Sequence, residues 1–136
     1  LSQMLQAYAF KLADMKQAET AFEYDKAYDW SLLPQQIGYQ LYRITQELVS
    51  NLMKHGKPSF LRIALHHTPE KITELCIESD GFPTGETNKD PPKDSSSDGI
   101  GLRSIHERIK SIGAEMSIDG QKICIRCSEN TKEVGN

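Results

Sequence analysis

The stretch LYRITQELVSNLMKH, residues 41–55, decides the fold because it has the pattern of one amphipathic helix. Apolar residues recur every three or four positions, as on a helix face that packs on a core: Leu41, Ile44, Leu48 and Leu52. Four polar residues fall within roughly 100° of arc on the neighbouring face: Glu47, Asn51, Lys54 and His55. This face is either an ordinary solvated flank or a pocket wall. In a pocket, the Asn51 oxygen would suit Mg²⁺ and Glu47 could polarise a water or hydroxyl.

The ends of this helix are marked by proline and glycine. Pro34 suits the first turn, where its missing N–H would be unsatisfied in any case. We expect the helix to run to about His55, with Gly56 ending it in a left-handed conformation and Pro58 preventing continuation.

The rest of the chain predicts an α+β fold. Two helices are expected besides the one that ends near His55. The first covers residues 1–17, and the other ends at Gly113 and has Leu102, Ile105, Ile109 and Ile112 on its apolar side. Alternating patterns predict strands at 20–28, 60–66, 72–79, 115–118 and 122–127. Antiparallel hairpins, in place of regular β-α-β repeats, favour a two-layer α/β sandwich with the helices on one face of a mixed sheet.

A polar segment, residues 84–98, separates the second hairpin strand from the last helix. Proline is its only apolar residue type, so we predict a mobile loop, which at this length is usually either functional or disordered. Gly99 and Gly101 follow it at the expected helix start, where glycine lets the backbone approach an anion. Taken alone, these two glycines are more typical of a helix cap than of a phosphate site.

Composition narrows the function further. The chain has 136 residues, 38% of them hydrophobic and 26% charged, which predicts one globular domain. Its formal net charge of −3 disfavours nucleic acid as a partner, and no apolar stretch reaches the roughly 18 residues of a membrane span. Three cysteines argue against a disulfide framework and suit a reducing cytoplasm. Cys124 and Cys127 lie three apart on one strand and therefore face opposite sides, which disfavours a metal or redox role for that pair.

The order of these motifs resembles the ATP-binding domain of sensor histidine kinases, and with it the Bergerat-type ATPase fold. The resemblance covers about residues 20–127 and is carried by the helix at 47–55, SDG at 79–81, the polar loop and GIGLRSIHER at 99–108. More narrowly, LYRITQE at 41–47 and GLRSIHER at 101–108 resemble the nitrate-sensor and membrane-fluidity-sensor subfamily.

The resemblance implies ATP and Mg²⁺ as cofactors and assigns site residues. Asn51 matches the magnesium-binding asparagine, and Glu47 matches the catalytic acidic residue that orients the phosphoacceptor or a water. Lys54 and His55 match positions that line the phosphates. The loop at 84–98 matches the ATP lid. The glycine box, whose backbone N–H groups meet the phosphates, corresponds to Gly99, Ile100, Gly101 and Leu102.

One box departs from the family pattern. Ser79 stands where the family has the aspartate that accepts from the adenine amino group, and Pro83 replaces the second glycine. Asp80 and Gly81 remain one place along, so the predicted nucleotide contacts here are Ser79, Asp80 and Gly81. Two interpretations follow: a working kinase domain, or a degenerate domain that binds nucleotide weakly or not at all and serves as a docking or regulatory module. A third, an anti-sigma-factor kinase, is disfavoured by the two subfamily strings.

The resemblance also implies an organisation and partners. Residues 1–18 are expected to be a helix that is either the end of an upstream dimerisation and phosphoacceptor region or the linker from it. Residues 19–128 are expected to be the catalytic domain and 129–136 a disordered tail. No histidine precedes His55, so the acceptor histidine would lie upstream; His66, His67 and His106 are expected at the surface or in packing. The first residue is not methionine, so we expect a piece of a larger protein, and the resemblance allows for a membrane anchor upstream. The implied setting is a cytoplasmic homodimer that works with a response regulator.

Overall fold

A computed structural model describes residues 1–15, 17–82 and 96–129, with side chains of the last range from 103 onward. The predicted loop between 84 and 95, Pro83 and the tail beyond 129 lie outside the described residues. The helices are α1 (Ser2–Asp14), α2 (Gln35–His55) and α3 (Ser96–Ser111). The strands are β1 (Glu19–Tyr24), β2 (Phe60–His67), β3 (Ile72–Ser79), β4 (Glu115–Asp119) and β5 (Lys122–Ser128).

The strands form one mixed five-stranded sheet in the order β1-β2-β3-β5-β4. β1 runs parallel to β2, whereas the other three neighbouring pairs are antiparallel. The inward side chains of the sheet join those of all three helices in one apolar core. The predicted α+β two-layer sandwich, with the helices on one face of a mixed sheet, is confirmed.

The core explains why α2 forms where the sequence predicts it. All four residues of its apolar stripe are buried, and they pack over inward side chains of β2 and β3 such as Ile63 and Leu75. Leu5 and Leu12 of α1 belong to the same core. Among the described helices, none is both long and apolar enough to cross a bilayer.

Three predicted boundaries are wrong. The helix expected over residues 1–17 ends at Asp14. The strand predicted at 20–28 ends at Tyr24, and the chain bends at residues 26–28. Asp25 holds this bend, because its carboxylate accepts from the His67 N–H at 2.9 Å and its carbonyl accepts from the Trp30 indole at 2.8 Å. At the other end of the chain, α3 begins at Ser96, so the last three residues of the predicted loop are helical.

Gly99 and Gly101 therefore lie within α3 and not before it. The serines and aspartate ahead of them suit the first turn of a helix. A glycine inside a helix costs only about 1 kcal/mol, so it does not prevent helix formation.

Gly56 does not end α2 in a left-handed conformation, since its φ is −97° and its ψ −21°. The positive φ falls on Lys57, at 47°. Glycine is needed at 56 for a different reason: a Cβ there would lie 2.5 Å from the Gly81 carbonyl oxygen and 2.9 Å from that of Leu52. The end of β3 and the end of α2 therefore meet backbone to backbone.

The expectation of no disulfide is also wrong. Cys76 and Cys124 are register partners on β3 and β5 and are joined by a disulfide across 48 residues of chain. The odd cysteine count could not exclude this pair, because the pairing depends on strand register. Cys127 lies on the opposite face of β5 from Cys124, as predicted, and its buried thiol donates to the Ile112 carbonyl at 3.3 Å.

Candidate functional site

The polar face of α2 meets α3 at Glu47. The Oε2 atom of this carboxylate accepts from Arg108 Nε at 3.0 Å and from Ser104 Oγ at 3.3 Å. Arg108 also donates from its terminal guanidinium nitrogen to Gln40 Oε1 at 3.0 Å. The Glu47 and Arg108 side chains are only 23% and 22% exposed, so this ion pair is partly shielded from water. Arg108 therefore holds α3 against α2 at two points, Glu47 and Gln40.

The second carboxylate oxygen of Glu47, Oε1, is buried and has no hydrogen-bond partner among the described residues. A buried acceptor without a partner is unfavourable, and such atoms often mark a missing water, ion or ligand. Glu47 therefore presents one oxygen that is held by Arg108 and one that is available to a further group.

Asn51 lies one helical turn beyond Glu47 and is half-buried. Its side chain makes no hydrogen bond to any residue in the described ranges. Lys54 and His55 follow in the last turn of α2, and both are exposed. The amide oxygen of Asn51 and the Oε1 atom of Glu47 are hard oxygen donors of the kind that Mg²⁺ prefers.

Ser79 ends β3 and faces inward with Leu75 and Ile77, which confirms the predicted strand register. It is fully buried. Its hydroxyl donates to the Phe60 carbonyl at 2.7 Å and accepts from the Gly81 N–H at 3.1 Å. Both bonds are internal to the fold, so the hydroxyl proton is already in use.

Asp80 points to the start of β2. Its carboxylate accepts from the backbone N–H groups of Ser59, at 2.9 Å, and Phe60, at 3.3 Å, and from the Ser59 hydroxyl. The Ser59 hydroxyl, followed by the Ser59 N–H, lowers the pKa of Asp80 below its usual value. The Gln121 side chain donates to the Asp80 and Phe82 carbonyls, both at 3.1 Å. Residues 79–82 are therefore fixed by hydrogen bonds from two neighbouring segments.

The structure brings the predicted site residues together in two groups. Glu47 belongs to the α2–α3 contact, whereas Ser79, Asp80 and Gly81 lie at the end of β3, where Gly81 packs against Gly56 at the end of α2. The predicted glycine box is helical in its backbone, and its side chains lie outside the description.

Sequence reasoning missed Arg108 and an aromatic cluster. Arg108 lies 61 residues from Glu47, and only its place within the GLRSIHER string could have drawn attention to it. In the cluster, the His67 ring stacks on Tyr28 with centroids 3.5 Å apart, and its Nε2 lies 3.0 Å from Glu129 Oε2. The packing role expected for His67 is confirmed.

Neither the protein-family models nor the curated proteins include a match to this chain. Solved structures do match. A blue-light activated histidine kinase from Erythrobacter litoralis EL346 superimposes with a TM-score of 0.72 at 15% identity, over 94% of this chain and 45% of that one. The ATP binding domain of PrrB from Mycobacterium tuberculosis gives a TM-score of 0.62 at 13% identity, over 91% and 89% of the two chains. This chain has the fold of histidine kinase catalytic domains.

Full-length ShkA in complex with AMPPNP shares the histidine kinase fold, with a TM-score of 0.59 at 14% identity over 93% of this chain and 29% of that one. These identities are low, so the likeness concerns the fold. The chain spans 45% of the length of the light-activated kinase and 62% of the histidine kinase domain from the same bacterium. Its residue roles must therefore be argued from its own side chains.

Proposed function

We propose that this chain is the ATP- and Mg²⁺-binding catalytic domain of a two-component sensor histidine kinase. The observation that carries the proposal is the Glu47 carboxylate, which is fixed through Oε2 and presents a buried, unpartnered Oε1 one turn from Asn51. In the reaction, the bond between the β,γ-bridging oxygen of ATP and the γ-phosphorus breaks, a nitrogen–phosphorus bond forms on a histidine, and ADP leaves. The two subfamily strings favour a relative of the nitrate and membrane-fluidity sensors.

Asn51 would hold the metal ion through its amide oxygen. When bound, Mg²⁺ neutralises charge on the transferring phosphates. The exposed Lys54 side chain adds positive charge at the end of the same helix face, beside His55. Glu47 orients the incoming nucleophile, and Arg108 keeps the carboxylate in place.

Adenine recognition differs from the family pattern in this proposal. The Ser79 hydroxyl donates its proton to Phe60 and accepts from Gly81, so only a remaining lone pair could accept from an adenine amino group. Weaker adenine selectivity than a carboxylate would give is therefore expected. A parent chain that binds no nucleotide would instead favour the docking-module alternative.

The proposal extends to the whole protein. The phosphoacceptor histidine would lie on an upstream helical hairpin of the same protein, which would be a cytoplasmic homodimer that passes the phosphoryl group to a response regulator. Support for an upstream region comes from the matched kinases, since this chain spans less than half of the light-activated enzyme.

Asn51→Ala tests the proposal by calorimetric titration of ATP with and without Mg²⁺. Asn51 is only half-buried, so the variant should keep the fold, and we expect it to lose the magnesium-dependent part of binding. Ser50→Ala is the matched control, because Ser50 is the exposed neighbour on the same helix and should bind like the parent. Parent-like, magnesium-dependent binding by Asn51→Ala would contradict the site assignment.

A further inference from the structure

The outer face of the sheet, which no described helix covers, carries a row of small side chains across four strands. Register places Ala64, Cys76, Cys124 and Ser117 in this row. A row of polar and charged side chains runs along each side of it. One consists of Arg62, Glu78, Lys122 and Asp119, and the other of His66, Glu74, Arg126 and Glu115.

Three potential metal ligands meet in the middle of this face. Cys76 and Cys124 are opposite each other, and Glu74 lies two residues along β3 on the same side. The two sulfur atoms and a Glu74 carboxylate oxygen all lie within 4.8 Å of one another. Glu74 and Cys76 also line a cavity of about 150 Å³ on this face, so the group is open to a small ion.

Two thiolates and a carboxylate form a ligand set for a thiophilic divalent cation such as Zn²⁺. Three protein ligands would leave a fourth position for water. The disulfide uses the same two sulfur atoms, so the oxidised pair cannot also bind the metal as thiolates. Redox state therefore decides whether the ligand set exists.

We propose that Cys76, Cys124 and Glu74 form a site for a thiophilic divalent cation that opens when the Cys76–Cys124 disulfide is reduced. This inference is independent of the proposed phosphoryl transfer. A dithiol reductant supplies two electrons and two protons, becomes a disulfide itself and leaves two cysteine thiols. Metal binding then releases the two thiol protons to solvent.

The fold can accommodate both states. β3 and β5 pair along Ile72–Glu78 and Lys122–Ser128, and their inward residues Leu75, Ile77 and Ile125 are completely buried. The strands therefore stay paired without the covalent bridge. Arg126, which contacts Glu74 at 3.8 Å, is 55% exposed and can turn into solvent when Glu74 takes a metal ligand role.

Co²⁺ is a suitable probe, because thiolate coordination gives an intense charge-transfer absorption. The chain is reduced with dithiothreitol, separated from it without oxygen and titrated with Co²⁺; Zn²⁺ is then added to displace the probe. We expect one Co²⁺ per chain in the reduced protein, none in the oxidised protein, and loss of the band in Cys76→Ser and Cys124→Ser. Glu74→Gln should keep the band and weaken binding by about tenfold or more.

Cys127→Ala is the matched control, because it removes the cysteine on the inner face and should leave cobalt binding unchanged. Far-UV circular dichroism checks that each variant is folded. If the serine variants do not fold, the cysteines of the reduced parent are blocked with iodoacetamide instead. The alkylated protein should stay folded and should show no charge-transfer band with Co²⁺. The proposal is overturned if the reduced parent shows no charge-transfer band at about 1 mM Co²⁺. It is also overturned if this band survives in the oxidised chain, in a folded serine variant or after alkylation.

Discussion

Alanine in place of Gly56 tests the backbone-to-backbone contact between α2 and the end of β3. The added Cβ would lie 2.5 Å from the Gly81 carbonyl oxygen, well inside the 3.4 Å at which ordinary contact begins, and 2.9 Å from the Leu52 carbonyl oxygen. Both obstacles are backbone atoms that cannot rotate away. Overpacking of this kind costs about 1–3 kcal/mol, so Gly56→Ala should lower the free energy of unfolding by that amount.

Gly38→Ala is the matched control on the same helix. Its Cβ would meet only side-chain atoms, the nearest being Leu33 Cδ2 at 3.7 Å, so alanine should raise stability by about 0.5–1 kcal/mol through helix propensity. Urea unfolding followed by circular dichroism measures both variants, and Gly56→Ala should shift the midpoint down by roughly 0.5–2 M. If Gly56→Ala is as stable as the parent, the ends of α2 and β3 do not meet as described.

Two further predictions concern polar contacts. Arg108→Lys should lower the free energy of unfolding by about 1–2 kcal/mol in urea titrations, because one ammonium group cannot reproduce the directed contacts to Glu47 and Gln40. Parent-like stability would show that these two contacts do not hold α3 against α2. The pKa of Asp80 is lowered from 3.8, chiefly by the Ser59 hydroxyl. The ionised carboxylate therefore stabilises the fold at pH values above 3.8, and this stabilisation is lost as the pH falls toward the lowered pKa. The parent should therefore be more stable than Asp80→Asn at pH 7, and this difference should shrink near pH 3; a difference independent of pH would refute the assignment.

Much of the fold could be predicted from periodic segments. The helical spacing of α2 and the alternation of β2 and β3 both follow from burial on one side, and burial is what their apolar residues reveal. The inward position of Ser79 was predictable in the same way, since it continues the alternation of Leu75 and Ile77.

Contacts between distant residues could not be predicted in this way. The Cys76–Cys124 bridge and the Glu47–Arg108 pair depend on strand order and helix packing across 48 and 61 residues. Gly56 was recognised as a helix end, but the close approach of Gly81 that requires glycine there is a tertiary contact. Single-sequence patterns report which side of an element is buried, and not which neighbour buries it.

The parallel pairing of β1 with β2 has a consequence for the order of events during folding. β2 and β3 are joined by the short turn at 68–71, so their ladder can form with little loop closure. β1 has no such route: its partner in the sheet follows only after α2, so a long segment must close before the first parallel hydrogen bond forms. In pulsed hydrogen exchange during refolding, amides of the β2–β3 hairpin should therefore become protected before those of Glu19–Tyr24.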